Sequence, residues 1–210
     1  QFVWGTAGSS AQTGFYLQIM SAADAQSDAT GIYAAVTRGA AGNAIGWGAD
    51  NCLTVNTWHH IAASFKSSDK TLALYVDGRE VDNDAGTVSG TFAVANYSSS
   101  NHSYALTVGK NKHGNSNFIN GYISNVRICK GHAVYKSQFI PPTRELEVHP
   151  ETVLLACYDG ENIFADKTGR HIIAAYGDRT SSPTPTATDS PIGITTFQPG
   201  LTRSVDPTAG

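Results

Sequence analysis

The sequence predicts an all-β fold in which two antiparallel sheets bury their inner faces against each other as a sandwich. Short runs of aromatic and β-branched residues alternate with stretches of Gly, Asn, Ser and Asp, a pattern typical of strands joined by turns. No window keeps the 3.6-residue apolar period of a helix over three turns. An Asp-Gly pair also stands between two alternating runs, which is a strong hairpin signal.

The strand-like runs are bounded by turn-forming residues throughout the chain. They cover residues 15–20, 31–36, 58–65, 71–76, 106–109, 118–128, 152–157 and 171–175. Gly46-Trp47-Gly48 suggests only a tight strand edge. Trp58 stands at the start of its predicted strand, so we expect it to pack in the core.

The hairpin around Asp77-Gly78 is the most specific local prediction, because both turn positions of a two-residue hairpin need positive φ. Alternation places a set of apolar side chains on the core face: Leu72, Leu74, Val76 and Val81. The opposite face carries Tyr75, Glu80, Asp82 and Asp84. A strand with one apolar side is what a sandwich requires.

Composition excludes several classes of protein. The 210 residues are 40% hydrophobic and 15% charged, as in ordinary globular proteins. The net charge of −3 offers no basic excess for a phosphate backbone, which argues against a nucleic-acid partner. No apolar run approaches the ~18 residues of a membrane span. The chain begins QFVW, so we expect it to be processed or part of a longer one.

The three cysteines, Cys52, Cys129 and Cys157, are too few and too far apart for a disulfide framework. None forms a C-x-x-C pair, which argues against structural zinc. We expect buried small hydrophobes in a protein assembled in a reducing compartment, although one bridge plus a free thiol stays open.

The composition of the chain changes near residue 149, since six of the eight prolines lie from Pro150 onward. We therefore divide the chain into a main β domain (1–149), a short appended or sandwich-closing β unit (150–180) and an extended Pro/Thr-rich arm or linker (181–210).

Two motifs carry a family resemblance. The first is NTWHHIA at residues 56–62, followed by the LYVDG hairpin at 74–78. The second is GYISNVRI at residues 121–128, which continues through Gly131, Ala133, Tyr135 and FIPPT at 139–143. Together they resemble the concanavalin A-like, laminin-G-like jelly-roll superfamily over roughly residues 15–145. The second motif resembles the variant found in bacteriophage tail and virion proteins.

The resemblance implies a concanavalin A-like jelly-roll β-sandwich of two antiparallel sheets, here with an extended C-terminal arm. The segment LLAC at 154–157, followed by Asp166-x-x-Gly169, looks like the opening of such a domain. Either residues 152–175 supply the closing strands, or the chain is part of a tandem array.

Jelly-roll hydrolases of the laminarinase type carry their acids as E-x-D-x-E on one strand, and two carboxyls about 5 Å apart support retaining hydrolysis. Glu80, Asp82 and Asp84 share a face here, but the last position is Asp. The triplet also follows a tight turn, where a solvated polar face is expected. Neither a G-x-S-x-G elbow nor a phosphate-binding glycine loop is present. We therefore expect a protein that is not an enzyme.

Calcium is the ion that the resemblance implies, held by loop carboxylates at one rim. Asp82 and Asp84 are the candidate calcium ligands, and the pairs Asp50/Asn51 and Asn115/Asn117 are alternatives. His59 and His60 are adjacent and point to opposite faces of a strand, so they cannot chelate one zinc ion and a structural role is expected.

Sugar recognition uses an aromatic plane beside polar loops. Trp47, Tyr97 and Tyr104 are the candidate carbohydrate-binding residues, with Trp4 as a further platform.

These inferences predict a non-catalytic lectin-like module of a virion structural protein, either a phage tail fibre or a capsid decoration. It would be assembled in the host cytoplasm, oligomeric or attached to a larger assembly, with other virion proteins and host-surface glycans as partners. The alternatives are a polysaccharide hydrolase using Glu80 and Asp82, and a purely architectural virion protein that binds no glycan.

Overall fold

Every regular element that the structure describes is a β-strand, which confirms the all-β prediction. The computed structural model describes residues 2–5, 13–19, 31–38, 44–49, 51–66, 68, 71–81, 106–110, 119, 121–160, 162–174, 186–189 and 195–198. The strands are β1 Phe2–Gly5, β2 Thr13–Ile19, β3 Ile32–Arg38, β4 Ala44–Ala49, β5 Ile61–Lys66, β6 Thr71–Val76, β7 Arg79–Glu80, β8 Thr107–Val108, β9 Val126–Cys129, β10 Thr152–Ala156, β11 Thr186–Asp189 and β12 Thr195–Gln198.

The chain divides into two compact units. Unit 1 comprises Gln1–Asn117 and Ala133–Pro141, and unit 2 comprises Phe118–His132 and Pro142–Gly210. The boundaries drawn from the sequence at residues 149 and 180 stay predictions.

The described residues of unit 1 form two antiparallel sheets, as a concanavalin A-like sandwich requires. A five-stranded sheet has the order β4-β3-β2-β1-β8, and a three-stranded sheet has the order β5-β6-β7. Within the first sheet Leu17 pairs with Ala34, and both are buried with Ile32 and Val36. β4 is the outermost strand of this sheet, and the sequence had not predicted it as a strand.

The predicted hairpin is confirmed in detail. Asp77 and Gly78 adopt φ of 50° and 80°, and Tyr75 lies opposite Glu80 in the register. The N–H of Val81 donates to the carbonyl oxygen of Leu74 at 2.9 Å, which is the predicted pairing. The apolar set Leu72, Leu74 and Val76 is buried.

The opposite face of β6 corrects the expectation of a solvated polar side. Tyr75 is only 1% exposed because a later segment, residues 135–139, covers it; we call this segment the aromatic strap. Phe139 meets Tyr75 edge to face at 5.7 Å between ring centroids and stacks on Tyr135 at 3.6 Å. Ser64 Oγ anchors the strap by donating to the carbonyl oxygen of Tyr135 at 2.7 Å.

Unit 2 contains two small antiparallel sheets among its described residues, β9-β10 and β11-β12. Leu155 of β10 lies opposite Arg127 of β9, and both the closing-strand and the tandem-array alternatives stay predictions. Residues 186–189 and 195–198 pair within the predicted arm.

Two strand predictions in unit 2 are partly wrong. Of the predicted strand 118–128, the described residues form a regular strand only from Val126, because Asn125 adopts a left-handed φ of 53° that interrupts extended backbone. Residues 171–174 form no strand, because the N–H of His171 bonds to the Asp166 carboxylate instead of a neighbouring strand.

Candidate functional site

Three segments of unit 1 meet around the Asp77-Gly78 turn. They are residues 51–60, residues 77–80 and residues 139–140, and together we call them the hairpin rim. The N–H of Asp77 donates to the carbonyl oxygen of His60 at 2.8 Å, and the N–H of Phe139 donates to that of Gly78 at 2.9 Å. Backbone hydrogen bonds therefore tie both neighbouring segments to the turn.

The carboxylate of Asp77 organises the rim. Its Oδ2 lies 2.7 Å from Nδ1 of His59, and its Oδ1 accepts the backbone N–H of His60 at 2.9 Å. Two hydrogen bonds therefore fix the orientation of a side chain that is still 50% exposed. An Asp at this turn position supplies both the tolerated left-handed backbone and the two acceptors.

Both ring nitrogens of His59 are occupied. The backbone N–H of Thr54 donates to Nε2 at 2.9 Å, so the ring proton sits on Nδ1 and points at Asp77. A histidine held in this way connects the 51–60 loop to the turn and has no nitrogen left for general-base work. His59 holds the loop from outside the strand in which the sequence placed it, because β5 begins only at Ile61.

Trp58 is the residue that sequence reasoning misplaced, since it is 40% exposed instead of packed in the core. β5 begins only at Ile61, because the backbone of His60 is engaged with Asp77 before the strand starts. Asn56 adopts a left-handed φ of 57°, which turns the loop just before Trp58. An Asn-Thr pair ahead of a Trp is a turn signal that could have placed this indole outside the strand.

Further apolar surface is exposed on the same rim. Val55 precedes the turn at Asn56, and Ile140, which follows the strap, is 90% exposed. Gly78 permits the close approach of the strap, because a Cβ at this position would overlap the carbonyl oxygen of Phe139. The rim thus combines an exposed indole, two exposed aliphatic side chains and a fixed carboxylate.

Glu80, the proposed acid of the hydrolase alternative, is exposed on the two-residue strand β7. It lies opposite Tyr75, whose pKa is raised by burial and, to a smaller extent, by the charge of Glu80. Asp82 and Asp84 lie outside the described residues, so the predicted triplet stays a prediction.

The candidate sugar platforms are placed only in part. Tyr97 and Tyr104 lie outside the described residues. The backbone of Trp47 lies on β4 opposite Ala34, while its side chain is outside the description. Trp4 is half-buried and meets Phe15 edge to face, with ring centroids 5.3 Å apart.

The described ranges bring no three His, Cys, Asp or Glu side chains together as a metal site. The calcium ligands predicted from the sequence, Asp82 and Asp84, fall outside those ranges, as do Asp50, Asn115 and Asn117. Asn51 is exposed with a φ of 52°, as expected of a turn residue.

A second fixed carboxylate, Asp166, organises unit 2. Its side chain is only 1% exposed, and Oδ1 accepts the N–H groups of Leu155 and Thr168 at 3.1 and 3.0 Å. Oδ2 accepts the Thr168 hydroxyl at 2.7 Å and the His171 ring at 2.9 Å. Burial opposes ionisation, but the hydrogen bonds from Thr168, His171 and Leu155 outweigh it and hold the pKa well below the ordinary aspartate value.

The loop 166–171 occupies the side of β10 that faces away from β9. The N–H of Lys167 donates to the carbonyl oxygen of Leu155 at 2.9 Å, and Nη1 of Arg170 donates to that of Thr152 at 3.1 Å. The ammonium of Lys167 also pairs with Glu145. Asp166 is therefore a structural anchor.

The three cysteines, all within the described residues, form no disulfide. Cys157 is buried, as expected of a small hydrophobe, and burial raises the pKa of its thiol to about 12. Cys52 and Cys129 are half-buried.

The chain belongs to the concanavalin A-like lectin/glucanases superfamily, whose family model matches residues 2–133. Neither the curated proteins nor the solved structures contain a match to this chain. The superfamily includes both lectins and glycoside-cleaving enzymes, and its members are often carbohydrate-binding. Nothing in the described segments forms a helix that would span a bilayer.

Proposed function

We propose that this chain is a non-catalytic carbohydrate-binding module of a virion structural protein and that the hairpin rim is its sugar-binding surface. The observation that carries the proposal is the exposure of Trp58 on a loop fixed by the His59–Asp77 hydrogen bond. Exposed indoles beside polar loops suit the apolar face of a pyranose ring. The lectin/glucanases superfamily supplies the matching ligand chemistry.

Two of the described carboxylates, Asp77 and Asp166, do not suit the roles that hydrolysis needs. A retaining hydrolase needs one carboxyl with a raised pKa as general acid and a second as nucleophile. Asp166 has its pKa lowered and its oxygens filled by hydrogen bonds, and Asp77 already accepts two. Each of these carboxylates is used to hold the fold together.

The virion assignment is supported by the GYISNVRI and FIPPT motifs at residues 121–128 and 139–143. In this proposal the module joins a tail fibre or a capsid decoration, and residues 181–210 contact other virion proteins. The rim then faces host-surface glycans, and an oligomer or a lattice of copies multiplies weak single-site affinities.

The first experiment is affinity electrophoresis of the 210-residue chain in gels containing polysaccharides, with reducing-sugar release measured on the same substrates. We expect retarded migration without sugar release, and weaker retardation for Trp58→Ala. Phe164→Ala, which removes another exposed aromatic ring, is the matched control and should migrate like the wild type. Sugar release that disappears in Glu80→Gln would establish the hydrolase alternative. No retardation in any gel would favour the purely architectural alternative.

The virion role needs its own experiment. Particles from an infected culture are banded on a density gradient and their proteins identified by mass spectrometry. The proposal expects peptides of this chain in the particle band, and their presence only in the soluble fraction would reject it.

A further inference from the structure

We infer that the hairpin rim binds neutral, hydroxyl-rich glycans, with Trp58 as the stacking plane and Asp77 as an acceptor for sugar hydroxyls. Uncharged hexopyranose chains are the ligand class, as opposed to sialylated or sulfated glycans. This inference rests on the proposed function and adds the chemistry of the ligand to it.

The stacking surface of the hairpin rim is Trp58. Trp58 exposes 40% of its surface, and the exposed aliphatic residues Val55 and Ile140 lie on the two segments held against the same turn. A pyranose ring presents apolar C–H groups on one face and hydroxyls around its edge. An exposed indole is complementary to that face and carries no formal charge.

The hydroxyl acceptor is Asp77. Each of its carboxylate oxygens accepts one hydrogen bond from the protein, from His59 to Oδ2 and from the N–H of His60 to Oδ1. A carboxylate oxygen has two acceptor sites, so an exposed one retains capacity for a ligand hydroxyl. Because the two internal bonds orient the group before the ligand arrives, little conformational entropy is lost on binding.

The position of Trp58 in the chain keeps it close to the Asp77 carboxylate. Trp58 is two residues from His60, whose N–H lies 2.9 Å from Asp77 Oδ1. Two residues of backbone span at most about 7 Å, which is within the dimensions of a disaccharide. A sugar stacked on Trp58 therefore has its edge hydroxyls within reach of Asp77.

Charge selects the ligand class. Among the described residues of the rim, Asp77 and Glu80 carry negative charge and Arg79 carries positive charge. Arg79 pairs with Val76 and Glu80 with Tyr75, so these two side chains start from opposite faces of the hairpin. Lys66 lies at the far end of β5. A sialate or sulfate at Trp58 would meet the Asp77 carboxylate, and like-charge contact disfavours it.

The experiment is a glycan array probed with the full chain, followed by calorimetric titration of the best ligands. The array carries neutral hexose oligosaccharides, their sialylated counterparts and sulfated glycans, at low and at physiological salt. We expect binding to neutral glycans that changes little with salt, and a loss of about tenfold or more in affinity for Trp58→Ala. Trp58→Phe should recover part of the affinity, and Phe164→Ala should bind like the wild type. Far-ultraviolet circular dichroism verifies that each variant is folded.

Each remaining result contradicts a defined part of the inference. Binding confined to sialylated or sulfated glycans and weakened by salt overturns the ligand class while leaving carbohydrate binding intact. Neutral binding that is unchanged in folded Trp58→Ala overturns the site. Neutral binding unchanged in Asp77→Asn and in Asp77→Ser overturns the acceptor role of Asp77. An array without any signal overturns the proposed carbohydrate function itself.

Discussion

The backbone N–H of Phe139 donates to the carbonyl oxygen of Gly78 at 2.9 Å, and the two residues approach so closely that no side chain fits at position 78. The hydrogen bond and the close contact therefore hold the aromatic strap against the turn of the hairpin. This contact fixes the 139–140 segment of the hairpin rim.

Substitution of Gly78 by Ala tests the contact between Gly78 and Phe139. We expect it to lower the free energy of unfolding by about 3 kcal/mol or more, because the new Cβ combines an unfavourable φ of 80° with a collision against Phe139. Gly131→Ala is the control, since Gly131 has a φ of 92° but no neighbouring atom within 4 Å. It should cost only about 1 kcal/mol in urea denaturation. Equal losses in the two variants would show that the collision is relieved at no cost.

Removal of the Asp77 carboxylate should destabilise unit 1. Asp77→Ala leaves the Nδ1–H of His59 and the N–H of His60 without their acceptor, so we expect a loss of about 1–3 kcal/mol by urea denaturation. Asp77→Asn should lose less, because Asn tolerates the left-handed backbone and keeps one acceptor. Glu80→Ala, an exposed neighbour, should stay within about 0.5 kcal/mol of the wild type. The idea fails if Glu80→Ala costs as much as Asp77→Ala.

Truncation of Phe139 should uncover Tyr75. The Phe139 ring contacts Tyr75, Tyr135 and His60, and we expect Phe139→Ala to cost about 2–4 kcal/mol. In the folded variant, second-derivative ultraviolet absorbance should report one more solvent-exposed tyrosine. Ile140→Ala removes a side chain that is 90% exposed and should leave both readouts unchanged. A tyrosine spectrum identical to the wild type would contradict the covering role of the strap.

The depressed pKa of Asp166 predicts that the fold loses stability at acid pH. Its folded pKa is depressed, so its stabilising contribution is fully present above the unfolded value of about 4 and is lost as pH falls through the lower folded value. We expect the wild-type free energy of unfolding to decline below about pH 4 and Asp166→Asn to show a flatter decline, together with lower stability at pH 7. Urea titrations at pH 7, 5, 4 and 3 measure this difference. Parallel pH profiles for the two proteins would remove Asp166 from the explanation.

Local signals in the sequence predicted local structure well. The Asp77-Gly78 turn needs only its own two residues and the alternation beside them, and the bond between Val81 and Leu74 confirms the predicted register. β10 was predicted on the same basis. The family motifs led to the fold class because they combine several such signals in one order.

Those local signals could not predict contacts between segments that lie far apart in the sequence. Alternation assigned Tyr75 to an outer face, but it carries no information on the strap that covers it. Trp58 was predicted in the core because it precedes a strand, whereas the hydrogen bonds of His59 and His60 to Asp77 delay that strand until Ile61. The site residues predicted from the sequence lie on β4 or outside the described ranges and stay predictions: Trp47, Tyr97, Tyr104, Asp82 and Asp84.

The loop at residues 166–171, which covers the side of β10 that faces away from β9, has a consequence for this protein at high concentration. A strand with a bare side is a template for other chains and a starting point for fibrils. Here the groups on that side already bond to Asp166, Lys167 and Arg170. These hydrogen bonds leave fewer backbone groups of β10 open to pairing with the strand of another copy.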